Sequence, residues 1–200
     1  KLVQYAIDES QKQGVNISFS ASTNGTILTN ELLELYSKFS SIQLSFDGLE
    51  NTQNFHRPFS NNQPSFDVVV SNLRTIREFY PNMRIAIRST VSSVSVSEMA
   101  EFVEFAHKLG ANKVVFEPLV VTGRALSDSD LQAPDMEDFI TNYKQACSVA
   151  KRLDIRIGCS AEILYRDCNF CGASNSNLVL TPSGYISTCV EVSTLNDPLS

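Results

Sequence analysis

Residues 83–110 read MRIAIRSTVSSVSVSEMAEFVEFAHKLG. Met83, Ile85 and Ile87 recur at every second position, the period of a half-buried strand, and the pattern runs on to Thr90-Val91. Ser95 and Glu98 then have the spacing of a capping box, in which two side chains satisfy the free amide donors at a helix start. Behind them Met99, Phe102, Val103, Ala106 and Leu109 recur at helical spacing, and Gly110 supplies the C-terminal residue. A strand feeding a helix in this way is one βα unit.

The same unit recurs on both sides. Ile42 to Phe46 is a strand ending at Asp47-Gly48, and Ser65 begins a helix built on Phe66, Val69, Leu73, Ile76 and Phe79, stopped by Pro81. Residues 49–64 between them are polar and read as a loop, unusually long for such a connection. Earlier, Val15, Ile17, Phe19 and Ala21 alternate as a strand that stops at Thr23-Asn24-Gly25. The helix after it is capped by Thr29 or Asn30 and carries Leu32, Leu33, Leu35, Tyr36 and Phe39. The chain opens on a helical face of Leu2, Val3, Ala6 and Ile7, ended by Gly14 and with no cap before Leu2. Toward the other end, Val114 to Phe116 form a fourth strand before Glu117-Pro118, and Pro134 starts a longer helix through Phe139, Ala146 and Leu153. Strands at intervals of roughly 25–45 residues, each followed by a helix, make an α/β fold with a parallel sheet. After Gly158 the style changes: Leu178–Leu180 and Tyr185–Thr188 flank Thr181-Pro182-Ser183-Gly184, a β-hairpin around a type I turn.

Composition narrows the functional class. The 200 residues are 42% hydrophobic and 19% charged, with 16 Lys and Arg against 22 Asp and Glu, a net charge of −6. That balance lacks the basic footprint of a nucleic-acid or anionic-membrane binder. No stretch approaches the roughly 18 apolar residues of a membrane span, and the N-terminus carries no signal-peptide pattern. Five cysteines, an odd number at uneven spacing, argue for reduced thiols or metal ligands in a cytoplasmic protein rather than a secreted disulfide scaffold.

In barrel-like βα folds the active site lies at the C-terminal ends of the strands. Those ends carry Thr23, Asn24 and Gly25; Ser45, Asp47 and Gly48; Arg88, Ser89 and Thr90; and Glu117. Each alone is equally a turn signal, and the case for function rests on their convergence. Cys168, Cys171 and Cys189 are spaced C-x2-C-x17-C, with Gly184 making C-x12-G-x4-C from Cys171. Thiolates close in sequence can share one soft metal centre, zinc or an iron–sulfur cluster, the alternative being three unligated, partly buried thiols. A zinc ribbon wants a second C-x2-C, which Cys189-Val190-Glu191-Val192 does not supply. Cys147 sits in a helix as a core residue, and Cys159 is a strand-core thiol or a spare ligand. His56 and His107 have no partner at nucleophile–base spacing, and no G-x-S-x-G, P-loop or G-x-G-x-x-G occurs.

In order, Thr23-Asn24-Gly25-Thr26, Ser45-Phe46-Asp47-Gly48, His56-Arg57-Pro58, Ile87-Arg88-Ser89-Thr90-Val91, Phe116-Glu117-Pro118-Leu119 with Gly123-Arg124-Ala125, and Cys171-Gly172-Ala173 through Gly184 to Cys189 resemble the radical S-adenosylmethionine (SAM) enzymes with a C-terminal SPASM domain. The resemblance implies a partial (β/α)6 barrel over residues 1–157, holding the later strands, and the start of a cysteine-rich SPASM domain over residues 158–200. It implies SAM and [4Fe-4S] clusters as cofactors. Ser45 would bind the ribose or methionine moiety, Arg57 the carboxylate, and the Val121 backbone the adenine. Asn24, Arg88 and Glu117 would line the same barrel mouth. Cys168, Cys171 and Cys189 would ligate an auxiliary cluster. The implied reaction is reductive cleavage of SAM to a 5′-deoxyadenosyl radical that modifies a peptide or protein substrate, with flavodoxin or ferredoxin as electron donor.

Three departures qualify the resemblance. The family's C-x3-C-x2-C motif and its Gly-Gly-Glu stretch are absent and are expected upstream of Lys1, so the chain alone is expected to be inactive. The later SPASM cysteines are expected beyond Ser200. Val190 stands where sulfatase-maturing members carry an Asp, which favours another peptide modification. The rival reading is a non-catalytic barrel fragment that binds zinc or a peptide. A hydrolase or aldolase reading needs a general base at a strand end, where only Glu117 stands, and no Lys is placed there for a Schiff base.

Overall fold

Apolar residues that alternate along each strand need a covering layer on one side only, and the helices between the strands supply it. In the computed structural model, which describes residues 1–126, 128–159, 178–181 and 183–189, the chain divides into units Lys1–Gly158 and Cys159–Ser200. The first unit runs α1 (Leu2–Gln13), β1 (Ser20–Thr23), α2 (Asn30–Tyr36), β2 (Ser41–Ser45), α3 (Glu50–His56), α4 (Phe66–Phe79), β3 (Arg84–Val91), α5 (Met99–Lys108), β4 (Lys113–Pro118), α6 (Met136–Leu153) and β5 (Arg156–Gly158). Its five strands are all parallel and lie side by side in sequence order. Because every crossover steps the same way, right-handed connections place the helices on one face, as in a barrel wall.

The covered face is the core. Ile42 and Leu44 of β2, Ile85 and Ile87 of β3, and Val114 and Phe116 of β4 are buried beneath Val69, Leu73, Phe102 and Val103 of the helices. Phe46 lies 5.6 Å from Phe66 and 5.7 Å from Phe102, which meets Phe116 edge-on at 6.2 Å. Burying each such side chain stabilises the fold by roughly 1.5–3 kcal/mol. The opposite face of the same strands is polar, with Gln43 and Ser45 on β2 and Arg88 and Thr90 on β3 partly or fully exposed.

Several local expectations change. β1 covers only Ser20–Thr23, and Val15 and Ile17 are exposed, because β2 begins at Ser41 opposite Ser20 and its approach, through Ser40, still bonds only as far back as Ser18 and Phe19. Ser95 and Glu98 form no capping box. Ser95 Oγ instead accepts from the Ser92 amide (2.9 Å), Glu98 Oε2 accepts from Thr52 Oγ1 (2.7 Å), and a 3₁₀ turn, Val96–Glu98, precedes α5. α5 ends as expected: Gly110 adopts φ 81°, and the Ala111 amide reaches back to Ala106 O at 3.0 Å. Asp135, one residue after Pro134, caps α6 by accepting from the Glu137 and Asp138 amides. The polar stretch 49–64 is not all loop: its first half holds α3, Glu50–His56.

In the second unit Val179–Leu180 (β6) and Ile186–Ser187 (β7) pair antiparallel. Their turn is closed by the Thr181 amide to Tyr185 O (2.8 Å) and the Gly184 amide to Thr181 O (2.9 Å), with Gly184 at φ 86°. This is the hairpin read from the sequence.

Candidate functional site

The C-terminal end of β2 runs directly into a densely hydrogen-bonded turn. The Phe46 amide donates to Arg88 O at 3.0 Å, continuing the ladder one residue beyond the strand. Asp47 follows, fixed through its backbone from two sides. Its amide donates to Gln53 Oε1 (2.9 Å) on α3, and its carbonyl accepts from Ser89 Oγ (2.7 Å) on β3. Gln53 passes the constraint on by donating to Ser65 Oγ at 3.0 Å.

The Asp47 carboxylate is held as firmly. Oδ1 accepts from the Thr90 amide at 2.9 Å, and Oδ2 accepts from Arg57 Nε at 2.7 Å. His56 Nδ1 faces the same oxygen at 3.5 Å, while His56 Nε2 is 2.9 Å from Ser92 Oγ. The Asp47 and His56 side chains are each 4% exposed, that of Arg57 36%. Burial pushes the Asp47 carboxyl up. The hydrogen bond with His56, the charge and hydrogen bond of Arg57 and the Thr90 amide outweigh it, so the group sits below its ordinary value and stays ionised.

Asp47, His56 and Ser92 have the connectivity of a nucleophilic triad, but Ser92 is 0% exposed and no substrate carbonyl reaches its hydroxyl. The arrangement is a clamp, and what it presents outward is Arg57. With Nε committed to Asp47, the two terminal guanidinium nitrogens have no partner among the described residues. Arg57 borders a cleft of about 240 Å³ lined also by Asp47, His56, Thr90, Leu119 and Thr122, among others. A guanidinium so anchored offers parallel donors to a carboxylate. The cleft is smaller than the roughly 300 Å³ at which whole-ligand pockets begin, so it suits one end of a larger molecule.

The residues expected at the site are not all brought to one place. Arg57 lies in the cleft. Ser45 and Arg88 are register partners on the polar sheet face, and Glu117 partners Thr90 one step nearer the strand ends. Asn24 uses its side chain locally, Oδ1 accepting from the Thr26 amide (3.1 Å) and hydroxyl (2.9 Å). Val121 is 48% exposed in the segment after β4. Cys189 is a free, partly buried thiol next to β7, and Cys168 and Cys171 lie outside the described residues. Among the described residues no three His, Cys, Asp or Glu side chains gather as a metal site, and no helix is long and apolar enough to cross a membrane. The residues that sequence reasoning missed are His56 and Gln53. His56 stood out only as part of the His56-Arg57-Pro58 stretch, with no role attached, and Gln53 stands one helical turn before Arg57 in a stretch too polar to read as a helix.

Comparisons with known proteins match the fold. Neither a protein-family profile nor a curated protein matches the chain. Among solved structures, anSMEcpe with bound AdoMet and a peptide superposes with a TM-score of 0.69 at 15% identity, over 96% of this chain and 57% of that one. Streptococcus suis SuiB bound to S-adenosylmethionine gives 0.64 at 12% identity, over 95% and 46%. A domain of a pyruvate-formate lyase-activating enzyme from Bacteroides vulgatus gives 0.52 at 13% identity, over 78% and 90%. These neighbours are radical SAM enzymes, and the fold of this chain is a partial radical SAM barrel. The chain spans about half the length of the larger enzymes it matches.

Proposed function

We propose that this chain is the SAM-binding barrel portion, residues 1–157, and the beginning of the SPASM domain, residues 158–200, of a cytoplasmic radical SAM enzyme that modifies a peptide or protein. The observation that carries the reading is Arg57, aimed into a cleft at the strand ends by a buried, ionised Asp47. That donor set fits the carboxylate of an amino-acid cofactor. Ser45 and Arg88, adjacent on the inner sheet face, and Glu117 beside Thr90 offer hydroxyl, cationic and acidic contacts for the rest of SAM or for the substrate. The Val121 backbone is the contact assigned to the adenine, and Asn24, occupied by its own turn, the least direct of the set. Neighbours solved with AdoMet and with precursor peptide support both ligand classes.

Bound SAM and its iron–sulfur cluster supply one-electron chemistry that removes a hydrogen atom from the substrate. This chain's own residues bind and orient. Asp47 holds Arg57 in one rotamer, Arg57 fixes the amino-acid end, and Leu119 and Leu131 give the cleft an apolar side. Cys168, Cys171 and Cys189 are assigned to an auxiliary cluster, and a flavodoxin- or ferredoxin-type donor to electron delivery.

Anaerobic reconstitution of the full-length protein tests the reading. Bound iron and sulfide in equal amounts, with 5′-deoxyadenosine released from SAM under a reductant, is the expected result. Zinc retained in air, with no sulfide and no SAM bound, would overturn it in favour of a structural metal site.

A further inference from the structure

The polar sheet face carries a charge that the cleft does not use. Arg84 and Arg88 flank Ala86 on β3, pointing to the same side as that residue. Ala86 is the register partner of Lys113 on β4, and Lys113 is in turn the partner of Arg156 on β5. Neighbouring strands lie about 4.8 Å apart and alternate residues about 6.7 Å, so these four cations occupy one patch roughly 13 Å along β3 and roughly 10 Å across the strands. Arg84, Arg88 and Arg156 are exposed and Lys113 is half-buried. Among the described residues none of them makes an ion pair or a side-chain hydrogen bond. Lys113 and Arg156 stand directly opposite one another, an arrangement that destabilises a sheet when nothing neutralises it. The chain as a whole is acidic, at −6, yet this face gathers a quarter of its 16 cations against one carboxylate, Glu117, at the far end of β4.

We infer that this inner sheet face binds an acidic segment of the peptide substrate, with Arg84, Arg88, Lys113 and Arg156 pairing to its Asp and Glu side chains. The inference rests on the peptide-modifying reading and narrows it to a substrate class. Charge complementarity identifies an anionic occupant. Ser41, Gln43 and Ser45, on the same face of β2, add hydrogen-bonding groups suited to an extended peptide backbone. No aromatic side chain stands on this face of the described strands to stack a base, so a peptide fits better than a single-stranded nucleic acid.

The test measures fluorescence anisotropy of the full-length protein with a fluorescein-labelled peptide of alternating Glu and Gly, beside its Gln/Gly and Lys/Gly counterparts. The Glu peptide should bind about 10-fold or more tighter than the Gln peptide, and the preference should fall as salt is raised. Combined Arg84→Gln, Lys113→Gln and Arg156→Gln should abolish the preference, whereas Arg84→Lys with Arg156→Lys should retain it. Arg74→Gln, an exposed cation on α4, should change nothing. Equal binding of the Glu and Gln peptides overturns the inference, as does a preference that survives the combined variant or a tighter complex with single-stranded oligothymidine. SAM binding measured on the same protein separates the two claims. SAM bound without peptide discrimination sinks only the acidic-substrate assignment, while absence of SAM binding sinks the radical SAM reading itself.

Discussion

Asp47 is the residue on which the site turns, because it joins two strands and a helix through five hydrogen-bonding groups while carrying a charge. Its folded carboxyl lies below its unfolded value of about 3.9. The pairing therefore stabilises the native state fully above that unfolded value and is lost as pH falls through the lowered folded one. Asp47→Asn should cost about 1–3 kcal/mol at neutral pH, allowing for solvent screening of the partly exposed Arg57, and should flatten the acid limb of stability. Urea denaturation at pH 7 and across the acid range checks both. At this scale a short motif singled out Arg57, which lines the cleft, and another singled out Ser45, which lies on the polar sheet face. His56 was not, because its partners lie at Asp47 and Ser92, far along the chain, and residue spacing alone does not bring them together.

α3 shows why an element can be invisible in sequence. Its inward residues are Thr52, Gln53 and His56, so the helix buries hydrogen-bonding groups where others bury apolar ones, and no hydrophobic period marks it. Its stability depends on polar contacts such as Gln53 bridging the Asp47 amide and Ser65. Gln53→Ala should destabilise the protein by about 1–3 kcal/mol, since a buried amide donor and a hydroxyl both lose their partner. A shift in the denaturation midpoint without a change in slope reads it. α4 and α5, whose buried positions are apolar and periodic, were legible to within a residue or two, as were β2 to β4. β5 escaped because three residues with one apolar side chain make no pattern.

For the first unit as a whole, the sheet has one greasy face and one charged face, and the two do different work. Phe102, fully buried against Phe46 and Phe116, ties α5 to two strands. Phe102→Ala should cost about 3–5 kcal/mol, read as loss of the cooperative thermal transition toward lower temperature. A series of βα units around a parallel sheet was readable from strand spacing alone, and the barrel-like, one-sided arrangement came only with the family resemblance. That the sheet's other face gathers cations was not readable, since the register aligning Lys113 with Arg156 and Ala86 emerges only when the strands pair. The central claim joins these levels: a barrel wall whose strand ends hold Arg57 for the carboxylate of SAM. The direct measurement is SAM affinity by equilibrium dialysis of the anaerobically reconstituted full-length protein beside Arg57→Ala, with iron determined in each. The account predicts that Arg57→Ala weakens SAM binding by about 10-fold or more with iron content unchanged; wild-type SAM affinity in Arg57→Ala would contradict it.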